Sequence, residues 1–238
     1  MPTPSLGEAF DDPAAKRAYN RRLFATIADR YDFITRFLSF GRDRAWKGRL
    51  LDLAGVTPGQ RVLDLACGTG DLALEARRRG GVVTGLDITP RMLALARAKP
   101  DGRPIRWLVG DMGALPLGDA AFDVVTTGYG LRNVPDLAVS LREMHRVLRP
   151  GGVACSLDFN RPDATWLRAV YLAYLTVVGS ALGWLLHGDA DTYRYIPASI
   201  RRWPGAARVG EMLRDVGFRE VDVVPLLGGL MAIHRVRK

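Results

Sequence analysis

The chain has 238 residues, of which 48% are hydrophobic and 25% are charged, and its formal net charge is +9. This length and composition fit one α/β domain with a long insertion, or one domain with a small lid. The charge allows nucleic acid, an anionic membrane surface or an acidic substrate, but the basic residues are scattered and form no long basic tail. The two cysteines lack partners at metal-ligand spacing, and the first residues are polar. We therefore expect free thiols in a reducing compartment, no metal site and no secretory signal.

The first 56 residues are predicted to form a tail and a helical cap. Residues 1–13 have the composition of a disordered tail, whereas residues 14–56 carry apolar side chains at helical spacing, interrupted at Gly41. We expect this cap to lie over the sheet of a main domain formed by residues 57–238. The pairs Tyr31-Asp32 and Trp46-Lys47 are candidates for closing the mouth of an active site.

The chain is organised around residues 61–87. Residues 62–66 are an apolar run typical of a buried parallel strand, and Gly68 and Gly70 then allow a sharp turn and a close backbone approach to a ligand. A predicted helix over 71–79 leads to a second strand, 82–86, which ends on Asp87. This order is typical of a nucleotide-binding α/β unit, in which Asp87 is placed to bind a ribose diol.

Two classes of ligand fit this glycine turn. The pattern resembles a dinucleotide fingerprint, so a nicotinamide-dependent oxidoreductase stays an alternative. A pyrophosphate would be repelled by an acidic first turn, and here Asp71 opens the helix while Asp64 precedes the turn. A cationic ligand without phosphate suits that acidity better, which favours S-adenosylmethionine.

The alternation of strands and helices continues downstream. Thr89-Pro90 begins a helix that runs to about Lys99, and a third strand over 105–109 is followed by Asp111. Asp111 could bind the exocyclic amine of adenine or could form a turn. Strands are predicted over 122–127 and 153–159, with a helix capped by Asp136 between them. This pattern predicts a doubly wound α/β fold.

The segment over 169–186 breaks the alternation, because its 18 residues carry no charge. That length is near the lower limit for crossing a bilayer, and Gly179 and Gly183 have the spacing of a membrane dimer motif. Tyrosines within the segment and the strands still required after it favour a helical lid inserted after the fifth strand, over about 162–200. A helix over 204–216 and two closing strands over 219–224 and 231–236, antiparallel at the edge of the sheet, complete the chain.

Four groups of residues resemble the ubiquinone/menaquinone biosynthesis C-methyltransferase family within the class I S-adenosylmethionine-dependent methyltransferases. They are Tyr31-Asp32 with Ser39-Phe40-Gly41 and Trp46-Lys47; Gly130-Leu131-Arg132-Asn133-Val134; Asp191-Thr192-Tyr193-Arg194-Tyr195 with Ser199-Ile200; and the tail around 232–235. The general methyltransferase pattern is carried by residues 64–71, 110–111, 122–125 and 147–152. The resemblance implies a mostly parallel seven-stranded Rossmann-like sheet with a helical cap and lid.

The resemblance also implies the cofactor, S-adenosyl-L-methionine, and residues that line its site. The expected cofactor-binding residues are Asp64, Gly68, Thr69, Gly70, Asp87, Asp111, Met112 and Gly128. Family members often have a serine where Gly128 stands here, so Gly128 is expected to offer only a backbone contact.

Family members methylate a ring carbon of a polyprenylated quinol, and the resemblance implies a demethylmenaquinol, with a methoxybenzoquinol or dual activity as alternatives. We expect Arg132 to stabilise the developing phenolate, although a structural salt bridge is the alternative. Asn133 is expected to fix the other ring oxygen and Tyr31 to make a third contact, whereas His187 is a weaker candidate for proton transfer. A nucleic-acid methyltransferase is a less favoured alternative, since no nucleic-acid module is visible. The expected setting is cytoplasmic, with peripheral membrane contact, and a homodimer is left open.

Overall fold

The computed structural model describes residues 6–7, 10, 12–162, 164–189 and 192–238. Asp191 and most of the predicted disordered tail lie outside these described residues. The described residues form the helices α1 (Pro13–Ile27), α2 (Tyr31–Leu38), α3 (Asp43–Ala54), α4 (Asp71–Arg78), α5 (Pro90–Ala98), α6 (Leu137–Val147), α7 (Thr165–His187), α8 (Tyr195–Arg202) and α9 (Ala206–Val216). The strands are β1 (Arg61–Leu65), β2 (Val82–Asp87), β3 (Arg106–Val109), β4 (Phe122–Gly128), β5 (Leu148–Phe159), β6 (Arg219–Leu226) and β7 (Met231–Arg237).

The seven strands form one sheet in the order β3-β2-β1-β4-β5-β7-β6. Strands β1 to β5 are parallel, whereas β7 runs antiparallel to both β5 and β6. Helices cover both faces of the parallel part, which is why its strands read as apolar runs and β4 is buried along almost its whole length. The predicted fold class is confirmed, and the two edge strands pair antiparallel with each other. Of the two, β7 alone is reversed relative to the sheet, because β6 runs in the same direction as β1 to β5.

The strand order reverses between β1 and β4, and this point positions the site. In an open α/β sheet, ligands bind outside the carboxyl ends of the strands where the order reverses. The segments that follow β1, β2 and β4 meet there, and they contribute Gly68, Ile88 and Tyr129 to one cleft.

Two apolar cores enclose the sheet. Helices α3 and α4 pack on one face through Leu50 and Leu72, and α6 and α9 pack on the other through Leu141 and Leu213. Helix α3, predicted as part of the cap, is therefore a component of the main core. A third, smaller cluster joins α1, α2 and α7 through side chains such as Ile34.

Helix α7 lies within the predicted lid insertion of about 162–200, and it begins four residues before the uncharged segment 169–186. Among the described helices, it is the one long and apolar enough to cross a membrane by length and composition, with a mean hydropathy of 1.7 over its most apolar window. One face of α7 is nevertheless buried, and the strands that follow it rejoin the same sheet through β7. Gly179 serves close packing within the chain, because a Cβ there would lie 3.3 Å from the Cβ of Tyr193. The spacing of Gly179 and Gly183 therefore needs no membrane dimer to explain it.

Candidate active site

The glycine turn joins β1 to α4 with left-handed backbone conformations. Gly68 has φ +52° and Gly70 has φ +85°, a region that favours glycine. A Cβ on Gly70 would lie 2.7 Å from the ring of Trp107, so no larger residue fits there. Gly68 faces more open space, with Tyr31 as the one neighbour within 4 Å of a Cβ built there among the described residues. Gly70 thus shapes the turn from behind, whereas Gly68 borders the cleft.

Asp87 lies where β2 ends and ties the glycine turn to the next helix. Its carboxylate accepts hydrogen bonds from the backbone N–H of Gly68 and of Thr89, both at 2.8 Å. Burial raises the pKa of Asp87, while these two hydrogen bonds work in the opposite direction. The two hydrogen bonds hold the carboxylate in a fixed orientation. Each of its oxygens keeps a further acceptor position, so the group can still bind hydroxyls.

Asp64 lies beneath the turn and is almost completely buried. Its carboxylate accepts from the hydroxyl of Thr126 at 2.9 Å and from the backbone N–H of Ala73 at 3.1 Å. Burial raises the pKa of Asp64 to about 7. Asp64 borders a small cavity with Gly68, Thr69 and Gly128, so it supports the turn from inside the sheet.

The acidic start of α4 is neutralised by lysines that the sequence argument did not consider. Asp71 forms ion pairs with Lys47 at 2.9 Å and with Lys99 at 2.8 Å. Although burial opposes ionisation of Asp71, Lys47 and Lys99 hold its pKa below the usual value. Lys99 also pairs with Asp32, which accepts a hydrogen bond from the hydroxyl of Thr69. The charge of Asp71 is therefore already balanced by the two lysines, and Asp71 does not by itself favour a cationic ligand.

Asp111 and Met112 line the cleft just beyond the end of β3. The carboxylate of Asp111 accepts from the N–H of Gly113 at 2.8 Å, so the turn-forming alternative is observed. It also pairs with Arg17 of α1 at 2.6 Å, which brings α1 over the cleft. Gly128 lines the cleft as well, and a Cβ there would lie 3.1 Å from Leu72, so a serine would require Leu72 to shift slightly.

A second, mostly apolar cavity of about 320 Å³ lies beside the cleft, under α7. Its walls come from α1, α2, α7 and α8, from the segment that follows β4, and from the carboxyl end of β5. Thr192, Tyr193 and Tyr195 of the predicted polar motif line it, whereas His187 lines neither cavity and lies 2.9 Å from the hydroxyl of Tyr193. The two cavities share four lining residues: Phe24, Tyr31, Tyr129 and Asn133.

Two of the four shared residues, Asn133 and Tyr31, have side-chain polar groups whose hydrogen bonding or protonation the structure defines. Asn133 donates its side-chain N–H to the backbone oxygen of Tyr129 at 2.8 Å, which leaves its buried Oδ1 without a hydrogen-bond partner in the described part of the chain. Burial raises the pKa of Tyr31 to about 12, so that phenol stays protonated. Asn133 Oδ1 is therefore an acceptor at the wall between the two cavities.

Tyr129 is a site residue that sequence reasoning missed. It has φ +61°, an uncommon conformation for a bulky residue, and its hydroxyl donates to Asp43 at 2.6 Å. Burial and then the nearby Asp43 raise the pKa of Tyr129 well above its usual value. Its place between Gly128 and Gly130, next to the predicted motif, was the available signal.

Arg132 borders the apolar cavity but is held by the protein. Its guanidinium pairs with Asp158 at 3.3 Å, hydrogen-bonds Ser199, and lies 4.9 Å from the ring centre of Phe159. Its backbone N–H also donates to Asp158. The salt-bridge alternative is therefore observed, and the side chain still forms part of the cavity wall.

The chain is similar to a known protein family and to named relatives over most of its length. Residues 13–238 match the ubiE/COQ5 methyltransferase family. The chain is 43% identical over 216 residues to a demethylmenaquinone methyltransferase from Thermus thermophilus, which covers 89% of this chain and 98% of that protein. It is 38% identical over 221 residues to the ubiquinone/menaquinone biosynthesis C-methyltransferase UbiE from Shewanella sp. strain ANA-3, covering 90% of this chain and 88% of that protein.

Solved structures share the fold. A methyltransferase dependent on S-adenosylmethionine from Thermotoga maritima matches with a TM-score of 0.64 at 19% identity, covering 91% of this chain and 99% of that one. Another from Aquifex aeolicus matches with a TM-score of 0.58 at 18% identity, covering 80% and 88%. At this identity the likeness shows the fold alone.

Proposed function

Since the chain belongs to the ubiE/COQ5 methyltransferase family and is an S-adenosylmethionine-dependent methyltransferase, we propose that it methylates a ring carbon of a polyprenylated quinol. The observation that carries this proposal is that the cleft lined by Asp87 and Asp111 meets the apolar cavity at Phe24, Tyr31, Tyr129 and Asn133. A methyl donor in one and an apolar ring in the other would face each other at that junction.

The cleft residues fit S-adenosylmethionine. Asp87 keeps free acceptor positions for a ribose diol, and the open backbone at Gly68 allows close approach of the ligand. Asp111 offers an acceptor for the adenine amine, with Met112 as an apolar neighbour. The bound cofactor would supply an electrophilic methyl group, and these residues would bind and orient it. Asp64 and Thr69 would support the glycine turn from the side away from the cleft.

The apolar cavity suits the quinol ring and the start of its isoprenoid tail. Its lining is dominated by aliphatic and aromatic side chains, among them Ile34, Leu167 and Tyr171. Each methylene that leaves water there contributes about 0.8 kcal/mol. The polar groups at its inner end would orient the ring.

The protein has to make a ring carbon nucleophilic and place it in line with the methyl group. A quinol becomes more nucleophilic as its hydroxyl loses a proton, because the phenolate releases electron density into the ring. Asn133 Oδ1 would accept a hydrogen bond from one ring hydroxyl, and the phenol of Tyr31 would donate to a ring oxygen. Asp158 balances the charge of Arg132 and fixes its guanidinium in place. The guanidinium has N–H groups beyond those bonded to Asp158 and Ser199, and one of them would donate to the ring oxygen as charge develops there.

Demethylmenaquinol is the proposed substrate, because the relative from Thermus thermophilus that is 43% identical is named for it. A methoxybenzoquinol is the second candidate, since the relatives from Shewanella are named for both pathways. Peripheral membrane contact from the cytoplasmic side is part of the proposal, because a long isoprenoid tail keeps such a quinol in the bilayer.

Methyl-labelled S-adenosylmethionine tests the proposal. The purified protein is given a demethylnaphthoquinol or a methoxybenzoquinol, each with and without an isoprenoid tail, in detergent. Faster carbon methylation of the naphthoquinol is expected. Transfer to neither ring would overturn the proposed function, and a faster rate on the benzoquinol would overturn the choice of substrate.

A further inference from the structure

Helix α7 presents a continuous apolar stripe to the outside. Trp166, Val170, Val177, Trp184 and Leu185 are all more than 60% exposed, and their spacing places them along one side of the helix. The stripe is about 27 Å long, at 1.5 Å per residue, and has a tryptophan near each end. The opposite side of α7 packs on the protein through Leu175, Gly179, Leu182 and Gly183.

Helix α2 and the turn after it extend this surface. Phe33, Phe37 and Phe40 are between 48% and 64% exposed, and the ring of Phe40 stacks on Tyr174 of α7 with centroids 5.6 Å apart. Phe40 has φ +53°, a costly conformation for a bulky residue that persists only where other contacts enforce it. We call the exposed side chains of these two elements the α2/α7 face: Phe33, Phe37, Phe40, Trp166, Val170, Val177, Trp184 and Leu185.

The charged side chains within this face are basic, and Asp32 at the start of α2 is paired with Lys99. Residues 33–42 and 164–188 contain Arg36, Arg42 and Arg168 but no aspartate or glutamate. A large exposed apolar patch marks an interaction surface, and the arginines select a partner with negative charge. Tryptophans at the ends of an apolar helix face, with cations beside it, suit the interface of an anionic bilayer.

The α2/α7 face also adjoins the apolar cavity. Phe33, Arg36 and Phe37 line a shallow outer groove, and the same groove is closed by Phe40 and Tyr174. Phe40 and Tyr174 line the inner cavity as well, so the stacked pair forms the partition between the groove and the cavity.

We propose that the α2/α7 face docks on an anionic lipid bilayer, and that the Phe40–Tyr174 contact is the portal through which a lipid tail passes from the bilayer into the cavity. This rests on the proposed function, because the portal has a purpose only for a substrate with an apolar tail. It adds where the protein meets the membrane and by which path the tail reaches the ring site.

Docking is tested by sedimentation with vesicles that contain phosphatidylglycerol. Phe37→Ser and Val177→Ser alter the face without touching the cavity, and Val82→Ser is the matched control, because Val82 is 59% exposed at the start of β2. Each face variant is expected to bind vesicles about fivefold more weakly, since it removes apolar surface that would leave water. The control should bind like the wild type, and high salt should weaken binding of all three. Unchanged binding by both face variants would overturn the docking surface.

The portal is tested with tailed and tail-less quinols. In detergent, where no docking is needed, Val177→Ser should have the wild-type rate on the tailed quinol, because Val177 lines neither the groove nor the cavity. Phe40→Trp, whose larger ring fills the partition, should remain at least fivefold more impaired on the tailed quinol than on the tail-less one. Equal impairment on both substrates would overturn the portal.

Two further results separate the alternatives. If sedimentation equilibrium shows a dimer that Val177→Ser dissociates, a second copy of the chain covers the face, and the docking proposal is wrong. If the wild type methylates neither the tailed nor the tail-less quinol in detergent, the proposed function is wrong. Methylation of either quinol, with no effect of any face variant on vesicle binding or on rate, refutes only the present inference.

Discussion

The buried pair formed by Arg132 and Asp158 supports a quantitative prediction. Both side chains are about 5% exposed or less, so solvent does not screen the pair. Arg132→Met leaves the carboxylate of Asp158 buried without a counter-charge, which costs about 3–5 kcal/mol of unfolding free energy. The hydroxyl of Ser199 keeps its hydrogen bond to Ile196, so little is lost there.

The pH dependence of this variant has a defined sign. Burial already raises the pKa of Asp158, and loss of Arg132 should raise it further. A carboxyl whose folded pKa exceeds its unfolded value destabilises the fold increasingly as pH rises between the two values. Relative to wild type at the same pH, Arg132→Met should therefore lose less stability at pH 5 than at pH 8.

Urea unfolding at both pH values measures these effects. The double variant Arg132→Met with Asp158→Asn removes both charges, and it should recover at least half of the stability lost by the single variant. Among molecules that remain folded, Arg132→Lys should bind S-adenosylhomocysteine like the wild type and turn over more slowly, because lysine lacks the planar fork. A stability loss below about 1 kcal/mol for Arg132→Met, with no dependence on pH, would refute the reasoning.

Three other predictions concern the cleft and the junction. Asp87→Ala should weaken binding of S-adenosylhomocysteine by about 1.5–3 kcal/mol in calorimetry, because charge-assisted hydrogen bonds are lost. The exposed control Asp119→Ala should bind it like the wild type, and unchanged affinity in Asp87→Ala would exclude a role of Asp87 in binding the ribose. Burial raises the pKa of Asp64 to about 7, so the Asp64 carboxylate destabilises the cofactor-free fold increasingly from pH 4 to pH 7. Between pH 5 and pH 8, the urea midpoint of Asp64→Asn should therefore fall less than that of the wild type. An equal fall in both proteins would contradict the destabilising effect of Asp64. Asn133→Leu should lower kcat by about tenfold or more with a much smaller change in cofactor affinity, and an unaltered kcat would show that Oδ1 does not touch substrate.

Most of the fold could be predicted because local patterns determine it. Buried parallel strands read as apolar runs, and Thr89-Pro90 and Asp136 begin their helices where the sequence indicates. The start of β5 was missed by five residues, because Leu148 pairs with Phe122 across a register shift that no local pattern reveals. The uncharged segment 169–186 is shorter than α7, since Arg168 lies within the helix and does not end it.

The site was less predictable, because its polar contacts join distant parts of the chain. Arg132 and Asp158 are 26 residues apart, and the pairing of Asp71 with Lys47 and Lys99 depends on packing among three helices. Periodicity and residue spacing carry no information on such contacts. Tyr129 was missed for a similar reason, since its partner Asp43 lies 86 residues earlier in the sequence.

The central claim is that the cleft and the apolar cavity meet at the point of methyl transfer. A crystal structure with S-adenosylmethionine and the oxidised demethylnaphthoquinone tests it most directly, because the oxidised ring is not nucleophilic and both ligands stay intact. The account predicts the methyl carbon within about 3.5 Å of the unsubstituted ring carbon, between Tyr31, Tyr129 and Asn133. A ring bound outside the apolar cavity, or separated from the methyl group by protein, would contradict it.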